Sequence, residues 1–150
     1  MRRSVLVVQA SRHGPAGRVG ELVADVLASH GLAVDVMPAG RVELLDRYGA
    51  IVVGGPTRLG RWHREARRFL QRHHTTLGRL PVAVFTTERH AADRRDGAIA
   101  RALADAPEVE PVTTAHFPVE PGRAGQQGGG ACDSDEVRRW ADELARELGA

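Results

Sequence analysis

The chain contains no lysine; its 21 basic residues are all arginine, set against 19 Asp and Glu for a formal net charge of +2. The arginine-only usage accompanies a richness in Ala and Gly and reads as composition bias. Aromatic residues make up only 4% of the sequence. No basic stripe interleaved with aromatics is present, so nucleic-acid binding is not expected. The runs Arg67-Arg68 and Arg138-Arg139 fall on expected helices that also carry acids, and read as solvated faces. Cys132 is the only cysteine. An internal disulfide is therefore impossible, which fits a reducing cytoplasm, and the residue reads as an idle exposed thiol. No apolar run approaches the roughly 20 residues needed to cross a bilayer. Arg2 and Arg3 precede only a short apolar run and Arg12 follows soon after, so no secretory leader is expected. No Cys-x-x-Cys or i, i+4 ligand spacing points to a metal, and no Gly-x-Ser-x-Gly elbow points to a serine nucleophile.

What is present is an alternation of short apolar runs with amphipathic stretches. At 150 residues the natural reading is a single domain spanning the whole chain. Val5 to Val8 reads as a first strand, and Gly17 to His30 as a helix with Val19, Leu22, Val23, Val26 and Leu27 on one stripe. Leu32 to Met37 and Ala50 to Val53 are expected strands, joined by a polar connection. A helix over Trp62 to Thr75 follows, then a strand over Leu80 to Phe85 and a helix over Asp96 to Ala106. A last strand lies within Val109 to Phe117. Pro121 to Ala131 is too rich in glycine to pack and reads as a mobile loop. The final helix opens on a capping box, Asp133 with Glu136, and carries Val137, Trp140, Ala141, Leu144 and Leu148 inward. Strands alternating with helices predict an α/β three-layer sandwich with a five-stranded parallel sheet of order 2-1-3-4-5. In that order the ligand crevice lies at the carboxyl ends of strands one, three and four.

Three loops fall at those ends. The first, Ser11-Arg-His-Gly-Pro-Ala16, joins a strand to a helix N-terminus, a natural anion site. The second, Gly54-Gly-Pro-Thr-Arg-Leu-Gly60, carries two glycines that would let backbone approach a flat ligand. The third begins Thr86-Thr87. His13, His63, His90 and His116 each follow a different strand, and one of them on a shared rim could serve a phosphate or substrate. Trp62 either lies near a ring or packs in the core. The trio Gly14, Gly17 and Gly20 loosely suggests a dinucleotide fingerprint but lacks its Gly-x-Gly start. A response-regulator receiver shares the strand order but needs an Asp where Gly54 and Gly55 stand.

The three loops together resemble the flavodoxin family over essentially the whole chain. Within it the chain is most similar to the branch that includes the menaquinone-dependent protoporphyrinogen oxidases, in its Arg-Leu-Gly loop and its final Asp-x-x-x-Val-Arg-x-Trp-Ala-like helix. The resemblance implies a bound FMN and an electron-transfer or FMN-dependent oxidoreductase role. It assigns Ser11, Arg12, His13, Gly14 and Ala16 to the phosphate end. Gly55, Pro56, Thr57, Arg58 and Gly60 are assigned to the flavin ring, with Thr86 and Thr87 on its far side. No metal is implied, and the donor, acceptor and organic substrate stay open.

Three departures from the family pattern are visible. Pro15 and Ala16 stand where the phosphate loop has donors. A glycine loop replaces the branch's basic, partly apolar insertion, so quinone contact at a membrane and porphyrin oxidation are not carried over. The charge is slightly basic, whereas shuttle members are acidic. The alternative is a flavodoxin-like protein that has lost FMN and uses the same crevice for another ligand or a partner protein.

Overall fold

The computed structural model describes residues 4–89, 97–121 and 130–150. Its centre is a sheet of order β2-β1-β3-β5-β6, formed by β1 (Ser4–Gln9), β2 (Ala33–Pro38), β3 (Ala50–Arg58), β5 (Val82–Glu88) and β6 (Thr113–Pro118). Neighbours along this path are parallel. A two-residue strand, β4 (Arg61–Trp62), pairs antiparallel with the end of β3. With β4 set aside, the order is the 2-1-3-4-5 expected from the alternation of strands and helices.

Alternation along each strand divides the core in two. Val5 and Val7 of β1 face α1 (Pro15–Ser29) and α5 (Ser134–Glu147), while Leu6 and Val8 face the opposite side. There they meet α2 (Arg64–Arg72), α3 (His74–Leu77) and α4 (Ala98–Ala104). Both faces being covered explains why β1, β3 and β5 read as continuous apolar runs rather than as alternating ones. On the α1 and α5 face, Phe85, Phe117 and Trp140 pack as an aromatic trio with ring centres 5.7–6.0 Å apart.

The capping box forms at one side only: Asp133 Oδ1 accepts from the backbone N–H groups of Asp135 at 2.9 Å and Glu136 at 3.4 Å. All five of the helix positions expected to face inward are buried.

Several boundaries move, each for a tertiary reason. Trp62 does not begin a helix. It sits on β4, 1% exposed, with its indole Nε1 donating to the Gly55 carbonyl at 3.0 Å. The long helix expected to run on to Thr75 ends at Arg72, and α3 starts a fresh turn at His74. His73 stands at that break, half-buried against Phe69 at 4.7 Å between ring centres. Cys132 is likewise half-buried, its Sγ 3.7 Å from the Phe117 carbonyl. Residues 122–129, at the heart of the expected mobile loop, lie outside the described residues, as does His90.

Candidate functional site

Where β1 ends, Ala10 continues the ladder through a 2.9 Å bond from its N–H to the Gly54 carbonyl. Ser11 then turns the chain with φ 69° and closes the loop on itself, its Oγ donating to the His13 carbonyl at 3.0 Å. Gly14 is the N-cap of α1 and Pro15 its first residue; no side chain caps the helix and no acid lies in its first turn. A proline there removes a donor that the helix could not use internally in any case. The positive end of the α1 dipole is thus left open to an anion.

The second loop differs from its sequence reading. Through Arg58 it is regular strand, and the chain reverses at Leu59-Gly60 into a hairpin, with Thr57 opposite Trp62 and Arg58 opposite Arg61. The glycine pair answers to the core. A Cβ on Gly54 would lie 1.9 Å from Phe85 Cζ, and one on Gly55 would lie 2.9 Å from Ala10 Cβ. Both glycines are buried. Thr57 is buried as well, and its Oγ1 is hydrogen-bonded to Thr86 Oγ1, across to β5.

The third loop also begins later than expected. Thr86, Thr87 and Glu88 are the buried end of β5. Polar, β-branched residues at a strand's carboxyl end read as loop in sequence, yet Thr fits a pleated surface well.

The first two loops and the end of β5 enclose one open cleft of about 1020 Å³. That lies at the upper end of the ~300–1,000 Å³ range usual for small-molecule sites. Ser11, His13, Gly14 and Ala16 line one end of it; Pro56, Thr57, Arg58 and Gly60 line the other, with Thr87 beside Pro56 on β5. Arg12, Gly55 and Thr86 do not line it: Arg12 is exposed, and the other two lie beneath the surface.

Leu59, His63, Arg89 and Val119 join the lining. Arg89 and Val119 were not singled out in sequence because the strands preceding them run further than their apolar portions. His63, already one of the four histidines noted, is the N-cap of α2. Its Nδ1 accepts the Glu65 N–H at 3.1 Å, so the neutral ring carries its proton on Nε2. His116 instead pairs through Nδ1 with the buried Glu88 carboxylate at 3.0 Å.

The lining is one-signed. His13, Arg58, His63 and Arg89 contribute cationic or cation-capable groups, and among the described residues no Asp or Glu lines the cleft. Among the described residues no three His, Cys, Asp or Glu side chains gather as a metal site. No helix among them is long and apolar enough to cross a membrane.

Comparison with known proteins places this geometry. The model of the Flavodoxin domain family matches residues 6–142. Protoporphyrinogen IX dehydrogenase [quinone] of Escherichia coli K12 is 26% identical over 83 residues, a match covering 54% of this chain and 46% of that protein. The match thus spans about half the length of the curated relative. Among solved structures, a flavodoxin from the domain Archaea superposes with a TM-score of 0.72 at 16% identity, covering 98% of this chain and 99% of that one. Oxidised flavodoxin 1 from Bacillus cereus superposes with a TM-score of 0.70 at 15% identity, covering 97% and 99%. At such identities these structures show a shared fold.

Proposed function

Because this chain belongs to the flavodoxin domain family, we propose that its cleft binds FMN and that the protein is a redox protein, either an electron carrier or an FMN-dependent oxidoreductase. The observation that carries the reading is the cleft's polarity along its length. An uncapped helix N-terminus lies at one end, a backbone-rich hairpin lip at the other, and among the described residues no carboxylate lines the cleft between them. FMN has the matching polarity, a phosphate at one end and a flat ring at the other.

The residues present fit that group. The backbone around Gly14 and Ala16, with the α1 dipole behind it, would hold the phosphate, and His13 lies in the same part of the lining. Arg12 is exposed on that loop and adds positive charge. Pro56, Thr57, Arg58 and Gly60 would face the ring, with Thr87 at its far side. Gly55 and Thr86 act one layer down. The Gly55 carbonyl anchors Trp62, and the Thr86 hydroxyl holds that of Thr57, which fixes the hairpin lip. Bound there, FMN would supply the electron storage and transfer, and the protein would set its position and potential. Within the chain, His63 Nε2–H is a donor that can orient a polar ring edge or an anionic substrate.

The test is the visible spectrum of the purified protein, followed by an FMN titration read by quenching of flavin fluorescence. A yellow protein, or binding in the sub-micromolar range, is the expected result. No binding at tens of micromolar would overturn the FMN reading and leave the cleft to another ligand or a partner protein. Pro15 and Ala16, which bring no hydroxyl and one N–H fewer to the phosphate end, are the residues behind that second outcome.

A further inference from the structure

The tip of the β3–β4 hairpin departs from three rules that favour a stable hairpin. Leu59 at φ 53° and Gly60 at φ 74° form its two-residue turn. Both positions are left-handed, and the first favours Asn, Asp or Gly over a bulky apolar residue. Leu59 is also 88% exposed, the most exposed large hydrophobic residue among those described. Arg58 and Arg61 stand directly opposite each other across the pair, both exposed. Like charges in that position repel.

The tip is nevertheless firmly braced. Arg67 Nε donates to the Trp62 carbonyl at 3.0 Å, and Arg101 Nη1 donates to the Gly60 carbonyl at 3.4 Å. The His63 N–H donates to the Pro56 carbonyl at 3.0 Å. An arrangement unfavourable to the chain by itself, yet tied by hydrogen bonds at the lip of a cleft, has the character of a pre-organised contact surface.

We propose that this tip is a docking surface for an acidic protein. Leu59 enters an apolar hollow on the partner, and Arg61, Arg64 and Arg89 meet carboxylates around it. Charge complementarity carries the choice of partner: from Thr57 to Glu65 the chain has three arginines against the single acid Glu65. A central apolar anchor flanked by arginine is the composition of protein–protein contact cores. Nucleic acid is the weaker fit, because Trp62 is buried and the tip offers no aromatic face for a base. The contact itself does not require the flavin. Only the partner's role as the redox partner rests on the function proposed above.

Fluorescence anisotropy with a dye-labelled acidic plant-type ferredoxin as the probe tests the docking, with labelled cytochrome c as a basic control and a labelled single-stranded DNA of the same dye. The protein is used with and without added FMN, so that a failed flavin titration leaves this result readable. The ferredoxin should bind at low salt and weaken at least tenfold between 20 and 200 mM NaCl, while cytochrome c should not bind. Leu59→Asn and Arg61→Glu should each weaken binding at least fivefold. Neither should lower the melting temperature, since Asn suits the left-handed position and the new carboxylate faces Arg58. No ferredoxin binding at 20 mM NaCl, unchanged affinity in either variant, or tighter binding of DNA than of ferredoxin would each overturn the proposal.

Discussion

Replacing Gly54 with alanine sets a methyl group against the tip of Phe85. The new Cβ would lie 1.9 Å from Cζ, 2.1 Å from Cε2 and 2.5 Å from Cε1 of that ring. Carbon atoms in ordinary contact sit about 3.5–4.0 Å apart, so the ring or the strand must retreat by roughly 1.5–2 Å. Neither has room to do so. Phe85 is fully buried and packs on Phe117 and Trp140, each at 6.0 Å between ring centres. Gly54 lies in β3, which is paired on one side with β1 and on the other with β5. Overpacking typically costs ~1–3 kcal/mol; with both partners fixed, Gly54→Ala should cost about 3 kcal/mol or more. Phe85→Leu removes the ring tip, so the double variant should be more stable than the sum of the single losses by at least ~1 kcal/mol, within the usual coupling of touching residues. Urea unfolding followed by tryptophan fluorescence measures all four corners of the cycle. Neither residue lines the cleft, so FMN affinity of the folded double variant should stay within about threefold of the parent, or ~0.7 kcal/mol. A cost for Gly54→Ala below ~1 kcal/mol, or additivity in the cycle, would refute the packing account. A folded double variant with FMN binding weakened by more than tenfold would return Gly54 to the ligand.

Other outcomes follow from the same structure. Burial, with Glu136 beside it, pushes the Cys132 thiol up to about 11 against the opposing effect of Arg18; its reaction with a disulfide reagent at pH 8 should therefore run about a hundredfold slower than in the urea-unfolded chain, where the thiolate is far more abundant. Burial, then the charge of Arg72, holds the His73 imidazole below its ordinary 6.5. The unfolded chain takes that proton first, so stability attributable to His73 is present above pH 6.5 and is lost as the pH falls below it. The loss of unfolding free energy between pH 7.5 and 5.5 should be smaller in His73→Gln than in the parent, a difference in which the other titrating groups cancel. Asp133→Ala removes the acceptor for two N–H groups at the start of α5 and should lower stability by ~1 kcal/mol in the same unfolding assay. Ala16→Thr should tighten FMN if phosphate sits at the α1 N-terminus; an unchanged titration would place phosphate elsewhere or nowhere.

Much of this architecture is written in short-range pattern. The apolar runs, the stripes at helical spacing and the acid pair at Asp133 and Glu136 each declare an element within a few residues, because helix and strand periods repeat over that distance. Their alternation then limits the topology to a doubly covered parallel sheet with its crevice at the strand ends, and the two glycine-bearing loops fall at that crevice by register alone. The composition of the loop after β1, including Pro15 and Ala16, was likewise plain from the chain.

What only the tertiary structure decided are facts that need two distant segments at once. Gly54 looked like a place for a ligand because glycine permits close approach; the group that approaches is Phe85, from the neighbouring strand. Trp62 shared the spacing of a helix stripe, but pairing with Thr57 drew it into a hairpin and into the core. Thr86, Thr87 and Glu88 have the polarity of a loop, and continued pairing with β3 and β6 made them strand. The sign of the cleft was undecided too, since a chain of nearly balanced charge can place its arginines anywhere. Folding gathers Arg58 and Arg89 in the cleft lining and leaves the carboxylates of the described residues outside it. Periodicity reports which way a side chain faces, whereas the identity of what it faces depends on residues brought together from across the sheet.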